Sequence, residues 1–291
     1  MRDFSGSHEA MSLNTATVRK QWDLVRIVDE CARLGIRNIA PWRDQVAHVG
    51  IERLAAQLKS LDIGLSGYVR GGLFTAADAA GRQAALDDNR RALDEACRLG
   101  APCLVIVAGG LPGALTGNLS SRDIADARRQ VRDGIATLLI DARERGMPLA
   151  IEPLHPMYAA DRACINTLAQ ALDLCAELEP APTPGKRFLG VAIDAYHTWW
   201  DPSLRVQVER AGREQRVLAF HVCDWLVPTT DLLNDRGMMG DGVIDLKQLR
   251  GWVEATGFDG LAEVEIFSNR WWAEPGELVL TTCVERFRSC V

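Results

Sequence analysis

Hydrophobic and polar positions along this chain switch repeatedly between two periods. Short apolar or alternating runs at residues 11–18, 36–41, 63–69, 103–107, 149–152, 188–194, 217–222 and 261–267 have the length and β-branched character of strands. Between them lie segments at 22–34, 51–61, 83–99, 124–145, 167–178, 204–213, 246–256 and 277–288 whose apolar residues recur at helical spacing, as Leu24, Val25, Val28, Cys31 and Leu34 do in the first. Gly35, Gly100, Gly146 and Gly257 follow helices as stops, and Ser120, Ser121 and Asp123 precede the 124–145 segment as N-terminal caps. A loop containing Pro and Gly is expected at 180–185. Strict alternation of strand and helix predicts a parallel sheet, because parallel neighbours need a crossover between them. Eight units without a linker predict an α/β fold: a single (β/α)8 TIM barrel over residues 11–291, preceded by a polar arm at 1–10. An open doubly wound sheet is the alternative.

Composition narrows the picture. The apolar share of 47% can supply a core, yet no apolar run approaches the roughly 18–20 residues of a membrane span. A formal net charge of −6, with basic residues dispersed beside acids, argues against a nucleic-acid partner. The eight cysteines form no CxxC pair and read as reduced packing residues. With a polar N-terminus unlike a signal peptide, they predict a cytoplasmic protein.

In barrels of this kind, reactive groups sit where strands run into the following loops. Residues 149–152 end in Glu152, with His155 between Pro153 and Pro156 just beyond. Residues 188–194 end in Asp194, with His197 three further on. The strand at 217–222 carries His221, followed by Asp224, and that at 261–267 carries Glu265 before Ile266 and Phe267. A carboxylate ending an apolar strand is costly unless something positive meets it. Glu152, Asp194, His221 and Glu265 at corresponding strand ends therefore suggest one shared ion. Interior ion pairs, or an imidazole of His221 oriented by Asp224, are the alternatives. Three carboxylates and one imidazole favour Mn²⁺, with Mg²⁺, Co²⁺ or Zn²⁺ as other candidates, over a thiolate-rich structural zinc. Six of the eight tryptophans (Trp42, Trp199, Trp200, Trp225, Trp271 and Trp272) fall in loops after strands, on the face where a sugar-sized pocket would open.

This set, Glu152, Asp194 with His197, His221, and Glu265 in Glu265-Ile266-Phe267, resembles the xylose-isomerase-like TIM-barrel superfamily. That is the sugar phosphate isomerase/epimerase group, which includes ketose 3-epimerases and inosose isomerases or dehydratases. The resemblance spans residues 12–288 and implies that Glu152, Asp194, His221 and Glu265 are metal ligands. It further implies that His197 and Arg236 contact substrate oxygens; Trp42, Trp199 and Asp224 complete the expected substrate-binding set. Two features depart from the ketose 3-epimerases. They carry a second glutamate six residues beyond the first ligand, where this chain has Tyr158, and their connection from the histidine to the arginine is shorter than His221 to Arg236. His155 adds a candidate base, a feature similar to lyase-like relatives that cleave 3-keto-glycosides, including C-glycoside deglycosidases.

The expected activity is a metal-dependent sugar or cyclitol isomerase or epimerase. The metal would hold a carbonyl and a neighbouring hydroxyl and stabilise an enediolate. Glu152 and Glu265 would remove and return the proton, with His155 or His197 moving protons at oxygen. A leaving group on the substrate would turn the same chemistry into a lyase or dehydratase. An endonuclease on this barrel would need more histidines and a basic face, and a non-catalytic sugar-binding subunit would not need the ligand set. The expected partner is a small carbohydrate, with neither nucleic acid nor membrane, and the scaffold accommodates a homo-oligomer or a small partner subunit. Weaker signals are the loop at 108–113, read as a plain loop rather than an anion cradle, and the pairs Trp199-Trp200 and Trp271-Trp272, read as sugar-stacking or subunit-contact surfaces. Arg43, Asp44 and Arg70 are candidate pocket residues.

Overall fold

The structure, a computed structural model, describes residues 7–180 and 187–291. Most of the expected arm and most of the 180–185 loop lie outside the described residues. The chain runs β1 (Met11–Asn14), α1 (Leu24–Arg33), β2 (Asn38–Ala40), α2 (Arg43–Val49), α3 (Ile51–Leu61), β3 (Gly64–Leu65), β4 (Tyr68–Gly72), α4 (Ala79–Leu99) and β5 (Leu104–Val107). It continues through α5 (Ile124–Arg145), β6 (Leu149–Glu152), α6 (Leu168–Leu178), β7 (Leu189–Asp194), α7 (Ala195–Thr198), α8 (Leu204–Arg213) and β8 (Val217–Val222). The last part holds β9 (Asp224–Trp225), β10 (Arg236–Gly237), α9 (Leu246–Ala255), β11 (Ala262–Val264), α10 (Asn269–Trp272) and α11 (Gly276–Cys290). No helix among the described residues is long and apolar enough to cross a membrane.

The main sheet is parallel, in the order β3-β2-β1-β11-β8-β7-β6-β5-β4. Its two ends are the halves of one expected strand, 63–69, which breaks at Ser66 and Gly67. The first half pairs with β2 and the second with β5. The Val69 N–H also donates to Pro41 O at 3.2 Å, so the ends meet and the sheet curls into a barrel. The first strand is likewise shorter than expected. The side chain of Asn14 accepts the Ala16 N–H and turns residues 15–18 into a 3-10 helix. Helix α4 begins four residues earlier than its apolar pattern, because Asp78 caps the Gly81 N–H. Gly100 and Gly146 close α4 and α5 with φ of 71° and 69°, the left-handed turn that favours glycine.

Side chains alternate along each strand, and the two faces have different fates. Leu104, Ile106, Leu149, Ile151, Val191 and Ile193 join the core under the helices. Their neighbours Cys103, Val105, Ala150, Ala192 and Ala219 form a separate cluster inside the barrel. Two residues further along each of three strands, the same inward face presents Glu152, Asp194 and His221. The alanines below leave room for that polar layer. All eight cysteines are free, six of them buried, as expected of packing residues.

Candidate metal centre and substrate cavity

Glu152, Asp194, His221 and Glu265 converge. Each is buried, and one donor atom from each lies within 4.8 Å of the other three. They arrive from the ends of β6, β7, β8 and β11, four neighbours in the sheet. His221 Nδ1 lies 2.8 Å from Glu152 Oε1. Asp194 Oδ1 accepts the Tyr196 N–H at 2.7 Å, which leaves Oδ2 facing the centre. Arg236 reaches over from the β9–β10 hairpin, donating through Nη1 to Glu265 Oε2 at 2.9 Å and to Asp194 Oδ2 at 3.3 Å. Its Nη2 lies 3.1 Å from His197 Nε2, and its guanidinium stacks on Tyr196 and Phe267.

Glu263 was not anticipated as part of this centre, although strand alternation places it on the face of Glu265, two residues below. It accepts from Asn14 Nδ2 and Ser66 Oγ, each at 2.8 Å, and its Oε1 lies 3.7 Å from His221 Nε2. Asn14, equally unanticipated, also donates to Glu265 Oε1 at 2.9 Å and accepts from Trp42 Nε1 at 2.7 Å. It thereby ties the two glutamates to the cavity wall.

The electrostatics follow from crowding acids in a dry place. Burial pushes the Asp194 carboxyl up to about 6 against the opposing pull of Arg236. Burial, again opposed by Arg236 but reinforced by Glu152, pushes Glu265 up to about 8. Burial works against a charged His221, yet Glu263 and Glu152 outweigh it and raise the imidazole well above its ordinary value. For His197, burial and then Arg236 act together and hold it well below, so it is neutral. Ion pairs thus link these side chains, and four of them bring donor atoms close enough together to share a cation. With His221 neutral, as an imidazole must be to bind a metal, four ionised carboxylates, Glu263 included, would exceed the charge of Arg236 by three. A divalent cation would offset two of those three charges, and three oxygen donors with one nitrogen suit Mn²⁺-like ions.

Above these side chains lies a cavity of ≈150 Å³, bounded by Trp42, Arg70, Tyr158, Arg162 and Phe267, with Glu152, His197, Arg236 and Glu265 also on its walls. That volume corresponds to roughly ten water molecules, enough for a sugar. Several expected site residues lie elsewhere. The His155 imidazole stacks on Trp225, with ring centroids 4.9 Å apart, and only its backbone N–H turns inward, to His197 Nδ1 at 3.2 Å. Asp224 is fully buried and occupied by backbone: it accepts from the N–H groups of Trp225, Gly240, Gly242 and Ile244 at 2.9–3.0 Å. Trp199 packs on Trp225, 5.7 Å between centroids, outside the cavity wall. The tryptophan pairs serve the chain's own loops, since Trp200 Nε1 donates to His197 O, Trp272 Nε1 donates to Ala16 O, and Trp271 is buried. Arg43 is spent on Asp88 and Glu95, and Asp44 on Arg19. The 108–113 loop is packed rather than open: a Cβ on Gly110 would meet Ala160 O at 2.4 Å. A hollow of ≈360 Å³ beside α9, near Phe258 and Leu261, carries no cluster of metal-ligating side chains among the described residues.

Comparison with known proteins agrees with this architecture. A solved structure of a protein from Sinorhizobium meliloti 1021 is 56% identical over 97% of this chain and 98% of its own, with a TM-score of 0.91. The IolI protein, solved with a bound zinc atom, is 17% identical over 95% and 96% of the two chains, with a TM-score of 0.77. The Escherichia coli 3-keto-D-glucoside 4-epimerase YcjR is 16% identical over 96% and 98%, with a TM-score of 0.73. At those identities the last two show the shared fold alone. No curated protein sequence matches the chain significantly. The family model described as xylose isomerase-like TIM barrel matches residues 22–289, and the chain belongs to that family.

Proposed function

We propose that this protein is a divalent-metal-dependent isomerase or epimerase of a sugar or cyclitol, acting by proton transfer at a carbon next to a carbonyl. The observation that carries the reading is the convergence of Glu152, Asp194, His221 and Glu265 within 4.8 Å beside a sugar-sized cavity. A divalent cation held by these four residues would supply Lewis-acid polarisation of the substrate carbonyl and its neighbouring hydroxyl. Glu152 and Glu265 stand on β6 and just beyond β11, with β7 and β8 between them. A substrate carbon lying between the two has a carboxylate on either side, one to take the proton and one to return it. His197, neutral and buried, and Arg236, both on the cavity wall, would hydrogen-bond substrate oxygens. The zinc of the IolI structure and the epimerase activity of the Escherichia coli relative support the same class of chemistry.

Elimination is the less favoured course, because the additional base it would draw on, His155, has its imidazole against Trp225. Incubation of the Mn²⁺-loaded protein with keto-sugars in D₂O tests the proposal. Deuterium at the carbon beside the carbonyl, together with the epimer or isomer and loss of both on chelation, is the expected result. Aglycone release from 3-keto-glycosides, with no exchange into any keto-sugar, would overturn it.

A further inference from the structure

We propose that Arg70, assisted by Arg162, recognises an anionic group on the substrate, a carboxylate or a phosphate ester at the end remote from the reacting carbon. The proposal deepens the reading above by naming the substrate class. The register of β4 against β5 shifts between Val69 and Gly71, which makes Arg70 the extra residue of a bulge. Bulges re-aim a side chain, and this one puts Arg70 on the wall of the cavity that Glu152 and Glu265 also line.

The other arginines around the site have anionic partners in the protein. Arg236 binds Asp194 and Glu265, Arg43 binds Asp88 and Glu95, and Arg19 binds Asp44. The Arg70 side chain has no hydrogen bond or ion pair among the described residues, and its guanidinium faces the Trp42 ring, 6.0 Å from Cζ to centroid. Arg162 lines the same cavity and, among the described residues, has only its sequence neighbour Asp161, at 4.0 Å, as a counter-ion. Burial, and after it the charge of Arg162, lowers the Arg70 pKa, so the two cations oppose each other where solvent is scarce. Glu152 attracts Arg70, but a cation at the four-ligand centre would offset most of that pull. What remains is a planar guanidinium fork, partly desolvated and without a protein acceptor. A carboxylate or phosphate satisfies that geometry in two parallel hydrogen bonds, whereas a sugar hydroxyl does not.

The test uses three ketoses that differ only at carbon 6: D-fructose, D-fructose 6-phosphate and D-fructuronate. Their binding to the whole chain is measured by calorimetry, both chelated and Mn²⁺-loaded. One anionic ketose is expected to bind at least about tenfold more tightly than D-fructose, with or without metal, and the tighter of the two identifies the anion. Arg70→Met should remove that margin and Arg70→Lys restore part of it, while Arg162→Met should reduce it. Because Arg70 lacks a protein partner, Arg70→Met is expected to unfold at a midpoint equal to or above that of the parent protein. Equal binding of the three ketoses, no binding of any at millimolar concentration, an anionic margin that survives in Arg70→Met, or a lowered unfolding midpoint would each overturn the proposal. Deuterium exchange separates it from the proton-transfer reading. Anion preference without exchange counts against the chemistry alone, and exchange into D-fructose without anion preference counts against Arg70 alone.

Discussion

The Tyr158 hydroxyl donates to the carbonyl oxygen of Leu232, and Tyr196 donates to the same oxygen at 2.9 Å. The two departures from the ketose 3-epimerase pattern, Tyr158 in place of a glutamate and a long connection from His221 to Arg236, are therefore one structural feature. The tyrosine ties down the loop that delivers Arg236. Tyr158→Phe removes one of two hydrogen bonds to that carbonyl, a loss of about 1 kcal/mol. Faster amide hydrogen exchange across residues 226–235, with little change in the global unfolding midpoint, is the expected result. Unaltered protection in that loop would show that other contacts hold it.

Glu152 combines a place among the four converging donors with one beside the cavity. Glu152→Gln keeps the shape and an acceptor for His221 but removes the basic carboxylate. Turnover should fall by about 10²–10⁴-fold or more, and metal binding should weaken. Steady-state assay on the ketose found active by deuterium exchange, with a parallel Mn²⁺ titration, checks both. Normal activity would deny Glu152 its place in the chemistry.

Beneath His221, Glu263 holds a carboxylate 3.7 Å from Nε2. A carboxylate behind a metal-binding imidazole sets its tautomer and raises its basicity. Glu263→Gln should lower Mn²⁺ affinity by about 10–100-fold, measured by calorimetric titration, while the amide oxygen still accepts from Asn14 or Ser66. Unchanged affinity would reduce Glu263 to a packed polar residue.

Acids whose folded pKa exceeds the unfolded value hold their protons longer in the native state. The stability they contribute is therefore complete below about pH 4 and lost as pH rises. The loss runs from the unfolded to the folded value, so it is complete by about pH 6 for Asp194 and about pH 8 for Glu265, and His221, also raised, adds to it in the same direction. Chelated protein should thus become less stable from about pH 5 to about pH 8, by the order of a few kcal/mol. In excess Mn²⁺ the slope should flatten, because the cation takes the place of the protons. Thermal unfolding across that range, with and without chelator, checks the sign; stability rising with pH in chelated protein would refute it.

Asp224→Asn leaves one oxygen where two had accepted four backbone N–H groups, and turns an amide toward donors. A destabilisation of about 2–4 kcal/mol is expected in denaturant titration. A stable variant with a raised KM would instead place Asp224 at the substrate.

The order of the eight main strand–helix units, the barrel, and the strand ends bearing Glu152, Asp194, His221 and Glu265 were readable along the chain; the short helices α2, α7 and α10 and the antiparallel β9–β10 hairpin, too short to show a period, were not. Each readable feature depends on local rules: apolar periodicity assigns an element, and alternation decides which side chains face inward. Even Glu263 was within reach of that rule, since it shares a face with Glu265. Only the folded chain separated Asp194 from Asp224. Both follow apolar strands, but one faces the barrel axis and the other is enclosed by the backbone of residues 240–244. It also turned the His155 ring onto Trp225, split the third strand at Ser66 and Gly67, and left Arg70 without a protein acceptor. Those outcomes turn on which distant groups compete for a hydrogen bond and on how strand tilt and register bring them level. Neither is written in any stretch short enough to show a period.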